Sequence, residues 1–244
     1  MTAGHPQRIF LVHLQKTAGT SLYMRLCREL GRDSVYPLPE HEGVGFSNVN
    51  VDMLRDVFEQ RGDEIKAVVG HFPLCTVDLL GVPFTTITVL RDPFARTLSL
   101  LRHQRQKVPN QAGATPEELY SEPRIFHTFI HDHMTRMLGI TAEEMTHGMS
   151  TLIPHDEALL RRAQEGLERI DIVGLQERFS DFWTDLHTRF GWDPGNEVHA
   201  NRTEPDGEEL DPKLGFRIRR DNELDFRLYE YAVDLVARRS AATT

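Results

Sequence analysis

The chain lacks the features that mark secreted disulfide scaffolds, cysteine-based zinc sites and membrane proteins. Only two cysteines are present, Cys27 and Cys75, and both lie in apolar segments without the spacing of a metal motif. This favours reduced, partly buried thiols. No apolar run approaches the roughly eighteen residues of a membrane span, and no signal-peptide core follows Met1. We therefore expect a cytoplasmic protein without a membrane span.

A surplus of positive charge is also missing. The 244 residues include 28 Lys and Arg against 37 Asp and Glu, which gives a formal net charge of −9. A general binder of nucleic acid or of anionic polymers needs a basic surface that releases counterions, so we expect no nucleic-acid partner. The charge still leaves room for local basic pockets. With 39% hydrophobic residues, the chain has a globular composition, and its length suits one domain spanning residues 1–244.

The stretch around which the chain is organised lies near its N-terminus. Ile9–Val12 form an apolar run with the length of a buried parallel strand, and the residues from Thr20 to Leu26 are apolar at helical spacing. The turn between them contains the small residues Ala18 and Gly19, which let backbone amides close around an anion. The helix start adds unpaired amides and the positive end of its dipole. This pattern predicts a phosphate-binding loop.

The polar side chains of this loop stand in an unusual order. Lys16 opens the loop as a point charge, and Thr20 and Ser21 close it with hydroxyls that cap the helix or bind a phosphate oxygen. A Walker A loop instead places its lysine directly before the Ser or Thr. The order argues against the usual wrapping of a nucleoside triphosphate. The alternative to a phosphate-binding loop is an ordinary strand-to-helix turn of an αβ protein, without a binding function.

The run from His13 to Ser21, HLQKTAGTS, resembles the 5′-phosphosulfate loop of sulfotransferases that use 3′-phosphoadenosine 5′-phosphosulfate (PAPS). It is closest to the carbohydrate branch, the heparan and dermatan 2-O-sulfotransferases and their bacterial relatives, whose loop commonly reads HIPKTAGTS. Gln15 stands in place of the usual proline. The resemblance implies that six loop residues bind the donor: Lys16, Thr17, Ala18, Gly19, Thr20 and Ser21.

Further apolar runs predict the rest of the fold. Segments 66–70, 84–90 and 169–174 have the character of buried strands, and amphipathic patterns predict helices between them. This alternation and the resemblance together predict an α/β fold: a P-loop-like three-layer sandwich with a central, mainly parallel sheet flanked by helices. Segment 31–50 contains prolines and glycines, which predict a loop near the mouth of the site.

Two predicted strands end at chemically active residues. His71 follows the second strand in the sequence GHFP, and Arg91 follows the third in LRDPFARTLS. Ligands of open αβ sheets bind beyond the carboxyl ends of strands. The second segment resembles the 3′-phosphate motif of the same sulfotransferases, commonly LRDPxxRxxS, which implies that Arg91 and Ser99 bind the donor's 3′-phosphate. The GHFP setting resembles that of the catalytic histidine of the carbohydrate branch. A structural histidine that caps the strand is the alternative.

Histidines and arginines of the second half allow more than one interpretation. His127 and His131 are four residues apart, but no HExxH pattern accompanies them, so packed or solvated histidines are favoured over a metal site. Sulfotransferases commonly close a basic loop over the donor near the C-terminus, and the resemblance implies this role for a basic cluster of this chain. A solvated helix start is the alternative. The cluster comprises Arg217, Arg219 and Arg220.

These patterns predict a sulfotransferase that uses PAPS, releases adenosine 3′,5′-bisphosphate (PAP) and needs no metal. Lys16 would neutralise the charge on the bridging oxygen of the leaving nucleotide, and His71 would take the acceptor's proton. A small-molecule P-loop kinase that uses ATP and magnesium, and a non-catalytic nucleotide-binding protein, are the alternatives. The resemblance favours a carbohydrate or glycoconjugate acceptor over a small phenolic or aliphatic alcohol. Candidate acceptor contacts lie in segments 31–50, 124–137 and 192–215.

Overall fold

The computed structural model describes residues 8–45, 47–147, 152–192 and 211–243. Within them, one five-stranded sheet has the strand order β2-β3-β1-β4-β5, and every neighbouring pair runs parallel. In chain order the strands are β1 (Ile9–Val12), β2 (Val35–Tyr36), β3 (Ala67–Gly70), β4 (Thr85–Leu90) and β5 (Ile172–Leu175).

Helices connect the strands and cover both faces of the sheet. The first half of the chain holds α1 (Gly19–Leu30), α2 (Val51–Arg61), α3 (Cys75–Leu80), α4 (Pro93–Lys107) and α5 (Pro116–Ser121). The second half holds α6 (Pro123–Ile125), α7 (His133–Gly139), α8 (Glu157–Arg169), α9 (Phe179–Phe190), α10 (Pro212–Asp221) and α11 (Glu223–Thr243). A π-helical turn (Phe126–Ile130) precedes α7. Among these described helices, none is both long and apolar enough to cross a membrane.

The side chains of β1 alternate between two apolar layers, as the pleat of a strand requires. Phe10 and Val12 belong to a cluster with side chains of α2, α7, α8 and α11, whereas Ile9 and Leu11 pack with α1 and α9. All four side chains are at most 2% exposed. Because both faces of the sheet are covered, its strands are continuous apolar runs. The predicted three-layer α/β sandwich is confirmed.

The position of β1 in the middle of the sheet determines where a ligand site forms. β1 pairs with β3 on one side and with β4 on the other, so that Val12 is level with both Gly70 and Thr88. After β3 the chain crosses β1 to reach β4. The carboxyl ends of β3, β1 and β4 therefore lie side by side where the chain changes its direction across the sheet. Open αβ sheets bind their ligands at such a point.

The strand β2 is not predicted from the sequence. It lies inside segment 31–50, for which we predict a loop, and it pairs with β3 at the edge of the sheet. Two 3₁₀ turns, Arg32–Ser34 and Pro39–His41, flank it. The loop prediction is wrong for β2, because two residues carry no measurable periodicity and the nearby prolines and glycines favour turns.

The loop predicted over segment 192–215 is wrong at its C-terminal end. Helix α10 begins at Pro212, and the carboxylate of Asp211 accepts a hydrogen bond from the amide of Lys213 over 2.8 Å. This is a helix N-cap followed by a proline at the first helical position, where the missing N–H of proline costs nothing. Residues 193–210 lie outside the described residues. The basic cluster of residues 217–220 consequently lies on a helix and not in a loop.

Candidate active site

The turn between β1 and α1 has the backbone of an anion-binding loop. Lys16 and Ala18 have positive φ angles, of 67° and 71°. Side chains other than glycine rarely adopt this left-handed conformation, and such residues concentrate at functional sites. The hydroxyl of Thr17 fixes the turn by donating to the carbonyl of Leu14 over 2.8 Å. No described residue accepts a hydrogen bond from the amides of Gln15, Lys16 or Ala18. Amides exposed in such a turn form a concavity for an anion.

The start of α1 adds to the positive character of the loop. Thr20 and Ser21 occupy its first turn, and the amide of Ser21 donates to the carbonyl of Ala18 over 3.0 Å. No side chain caps this helix, and its first turn contains no acidic residue. The positive end of the helix dipole is therefore directed at the loop without a local counter-charge.

Gly19 is required at the first position of α1 because the ring of His13 lies against it. A Cβ at residue 19 would overlap the imidazole of His13. That imidazole also packs against the ring of His71, with 4.4 Å between the ring centroids. Burial, followed by the charges of His71 and Lys16, lowers the pKa of His13 well below its ordinary value. A neutral ring therefore connects the loop to His71.

Arg91, at the end of β4, reaches the same loop. Its Nη1 donates a hydrogen bond to the carbonyl oxygen of Lys16 over 3.1 Å. Burial and then the charge of Arg91 lower the pKa of Lys16, and burial lowers the pKa of Arg91. Neither cation forms an ion pair with a carboxylate of the described residues. The structure therefore holds two positive charges together at the strand ends, an arrangement that attracts an anion.

The acids nearest to this cation pair, Lys16 and Arg91, have other hydrogen-bond partners. Asp92 caps α4 by accepting from the amide of Ala95 over 2.8 Å, as the sequence Asp-Pro predicts. Glu177 raises the pKa of Arg91, but its carboxylate accepts from the amide of Asp92 and from the hydroxyl of Tyr229. Both carboxylates are thus used to join β4 and α4 to their neighbours.

Ser99 lies in the second turn of α4 and is only 5% exposed. Arg102 and His103 follow it by three and four residues and share its helical face. The charge of Arg102 contributes to the lowered pKa of Arg91, and that of Lys16, after burial, to the lowered pKa of His103. This face of α4 is consequently directed at the cation pair. The sequence analysis did not include Arg102 and His103 among the site residues. Their spacing of three and four residues from Ser99 indicates that they share its helical face.

His71, which follows β3, is held in one tautomer. Its amide donates to the carbonyl of Asn48 over 2.7 Å, and its Nδ1 lies 2.9 Å from the carbonyl oxygen of His13. A carbonyl only accepts, so Nδ1 carries the proton and Nε2 carries the lone pair. Burial lowers the pKa of His71, partly opposed by the bond to His13. A neutral imidazole with an available lone pair is the state required of a general base.

His133, at the start of α7, lies near His71 and is 2% exposed. Its Nδ1 donates to the carbonyl of Thr128 over 3.0 Å, while its buried Nε2 has no partner among the described residues. Burial, then the charges of Arg96, Arg136 and His71, lowers its pKa well below the ordinary value. The sequence analysis included His133 in the candidate acceptor segment 124–137 but did not predict that it lies near His71. That placement depends on the packing of α7 beside the strand ends.

Two of the three segments predicted to contact an acceptor reach His71. Segment 31–50 supplies the carbonyl of Asn48, which accepts from the His71 amide. Segment 124–137 supplies His133, whose pKa responds to the charge of His71. The third segment, 192–215, lies mostly outside the described residues. The surroundings of His71 are thus built from the predicted acceptor side of the chain.

The structure does not bring the basic cluster to the phosphate loop. On α10, Arg217 donates to the hydroxyl of Ser121, and Arg220 forms an ion pair with the adjacent aspartate over 2.6 Å. The guanidinium carbon of Arg219 lies 4.9 Å from the ring centroid of Phe94 in the first turn of α4. These contacts join α10 to α5 and to the first turn of α4. A donor-binding role for the cluster stays a prediction.

No protein-family model and no curated protein matches this chain. Its function is therefore inferred from the β1–α1 loop, the cation pair and the histidine after β3.

Proposed function

We propose that the chain is a sulfotransferase that moves a sulfuryl group from PAPS to an acceptor hydroxyl and releases PAP. The observation that carries this proposal is the meeting of Lys16 and Arg91 at a left-handed turn without a paired carboxylate. The charge of Arg91 lowers the pKa of Lys16, and two neighbouring cations are most stable when an anion lies between or beside them.

The donor set of the site fits a nucleotide with two separate anionic groups. The amides of the loop, the start of α1 and Lys16 form one group of donors, suited to the 5′-phosphosulfate. Arg91 and Ser99 on α4 form a second group, suited to the 3′-phosphate. Arg91 is hydrogen-bonded to the backbone of Lys16, so the two groups are adjacent. A ligand with a single phosphate leaves one group unused, which supports PAPS over a simple phosphate ester.

The site residues have the protonation states that sulfuryl transfer needs. The donor supplies an activated sulfuryl group: the acceptor oxygen bonds to sulfur as the bond from sulfur to the bridging oxygen of the 5′-phosphate breaks. His71, neutral and with its lone pair on Nε2, takes the proton of the acceptor hydroxyl. Lys16 neutralises the negative charge on the bridging oxygen. Arg91 and Ser99 hold the nucleotide and take no part in proton transfer.

The kinase alternative has less support from the same residues. A P-loop kinase needs a lysine next to the Ser or Thr of its loop and a carboxylate that binds magnesium. Lys16 stands at the opposite end of the loop, and the carboxylate of Asp92, which follows Arg91, caps α4. The proposed acceptor is a hydroxyl of a carbohydrate or glycoconjugate, with a small alcohol or phenol as the alternative.

A transfer assay tests the proposal. The chain is incubated with PAPS carrying labelled sulfate and with a panel of oligosaccharides, aliphatic alcohols and phenols, in the presence of a chelator. We expect labelled product from at least one acceptor, and loss of that product in Lys16→Ala but not in the matched variant Lys213→Ala on α10. Parallel reactions contain ATP, magnesium and the same acceptors. Phosphate transfer there, without sulfate transfer from PAPS, would establish the kinase and overturn the proposal.

A further inference from the structure

A cluster of three side chains lies on the junction between the π-helical turn and α7. Oδ2 of Asp132 lies 2.9 Å from Nδ1 of His155 and 3.6 Å from Nε2 of His131. All three atoms lie within 4.8 Å of one another. His131 directly follows the π-turn, Asp132 is the N-cap residue of α7, and His155 comes from the segment before α8. The cluster therefore joins two parts of the chain that are distant in sequence.

The conformation of Asp132 is directed at this cluster. It is the N-cap residue of α7, yet its carboxylate makes no capping bond to that helix. Aspartate is a preferred N-cap because it normally makes this bond. Its backbone is left-handed, with a φ of 43°, and the residue is only 3% exposed. Its Oδ1 accepts a hydrogen bond from the amide of Asp225 over 3.2 Å, so Oδ2 is the oxygen that faces the two imidazoles. A left-handed backbone at a buried residue is common at functional sites. The π-turn directly before it is a second feature common at functional sites.

The two imidazoles lie next to each other and next to the carboxylate of Asp132. Their rings are stacked, with 3.8 Å between centroids and 14° between planes. Burial, followed by the neighbouring charge of His155, lowers the pKa of His131. Side-chain exposures of 29% for His131 and 15% for His155 leave a path for an ion from solvent. Metal ligation requires neutral imidazole.

We propose that His131, Asp132 and His155 bind one divalent transition-metal ion of the zinc type. Two imidazole nitrogens and a carboxylate oxygen are ligands that zinc accepts, with solvent in the fourth position. Ligand atoms of a tetrahedral zinc ion are roughly 3.4 Å apart, a spacing between the two distances to Asp132 quoted above.

The ion would replace a proton as the link between Asp132 and His155. In the structure Nδ1 of His155 donates that proton to the carboxylate. Binding through Nδ1 would move that proton to Nε2 of the same neutral ring, and would link the π-turn and α7 to the segment before α8, next to His133. The proposed role is structural. It does not depend on the sulfotransferase proposal, since no member of the cluster belongs to the β1–α1 loop.

Metal titration of the full chain tests this site. The protein is treated with a chelator, dialysed, and titrated with zinc by calorimetry and with cobalt(II) by visible absorption, which reports tetrahedral coordination. We expect one ion per chain and the visible-absorption bands of tetrahedral cobalt. In His155→Ala, and in His131→Ala at the more exposed position, the affinity for zinc should fall at least about tenfold. Loss of a residue that only hydrogen-bonds a metal ligand already costs about this factor.

Two matched variants keep the test specific. His127→Ala removes an imidazole from the same π-turn, and His71→Ala removes the pair with His13; both should bind zinc as the parent does. Circular dichroism of each variant confirms that it is folded. If the parent binds no zinc, or if His155→Ala and His131→Ala bind it as tightly as the parent, the stacked imidazoles are only a packing contact and the proposal is overturned.

Discussion

Arg91 and Arg96 belong to one segment of ten residues, yet their surroundings differ in kind. Arg96 is fully buried, and its two terminal nitrogens donate to the carbonyls of Phe129 and Ile130 over 2.9 and 3.1 Å. Arg91 is half-buried and donates to one carbonyl, that of Lys16. Arg91 thus keeps guanidinium donors with which it can bind a ligand. The two terminal nitrogens of Arg96 instead donate to backbone carbonyls and stabilise the fold.

The acids near each arginine show the same difference. Asp225 is fully buried and opposes the effect of burial on the pKa of Arg96. Its carboxylate accepts from the amide and the hydroxyl of Thr135, both over 2.8 Å. No carboxylate of the described residues forms an ion pair with Arg91 or Lys16. A buried charge without partners is costly, so the first arrangement stabilises the fold and the second is completed by a bound anion.

The largest effect is expected at His71. His71→Ala should lower the rate with an aliphatic alcohol by about 10²–10⁴-fold, because that hydroxyl must lose its proton during attack. Phenols should depend less on the imidazole, since their pKa is near 10. Rates across alcohols of falling pKa, with PAP binding measured in parallel, check this. A uniform loss across the series would assign the proton to another residue.

Lys16→Ala should lower sulfate transfer by about 10²–10³-fold while changing PAP affinity far less. The lysine meets a charge that develops only as the bridging bond breaks, and loss of one such donor commonly costs this factor. Single-turnover rates and calorimetry separate the two quantities, with Lys213→Ala as the control. Equal single-turnover rates in Lys16→Ala and the parent would remove Lys16 from the chemistry.

Substitution of Arg96 should affect the fold and not the ligand. Arg96→Met keeps most of the volume but leaves two buried carbonyls and Asp225 without their cation, a loss of about 3 kcal/mol in the free energy of unfolding. Arg91→Met should change it by less than about 1 kcal/mol. Denaturation by urea measures both. Equal losses of unfolding free energy in Arg96→Met and Arg91→Met would contradict the assignment of Arg96 to the fold and of Arg91 to ligand binding.

The contrast between these arginines also shows what the sequence can predict. Continuous apolar runs predict β1, β3, β4 and β5, and strand ends place Arg91 and His71 because parallel strands put their carboxyl ends on one edge. The hydrogen-bond partners of Arg96 are carbonyls more than thirty residues away in the sequence. No local sequence pattern predicts these contacts. For the same reason the sequence places His133 in a candidate acceptor segment without predicting that it lies near His71. The two-residue strand β2 is missed because it is too short to show a period.

The smallest effect is a shift in the pH profile. Burial lowers the pKa of His71, so the imidazole remains neutral, and able to accept a proton, below the ordinary value of about 6.5. The rate should therefore hold through pH 6.5 and fall only at lower pH, as the ring becomes protonated. The pH dependence of kcat/KM measures this limb. A midpoint at or above 6.5 would show that the base is not the buried imidazole described here.

The central claim is that Lys16 and Arg91 form a site for a nucleotide with two separate anionic groups. Calorimetry with PAP and with adenosine 5′-monophosphate, in the presence of a chelator, tests it most directly in the parent and in Arg91→Ala. We predict that the parent binds PAP without metal. Arg91→Ala should weaken PAP by about 10–100-fold and leave the weaker monophosphate nearly unchanged, since one charged hydrogen-bond donor is lost from the 3′-phosphate alone. No binding of PAP by the parent, or an equal loss for both nucleotides, would contradict the claim.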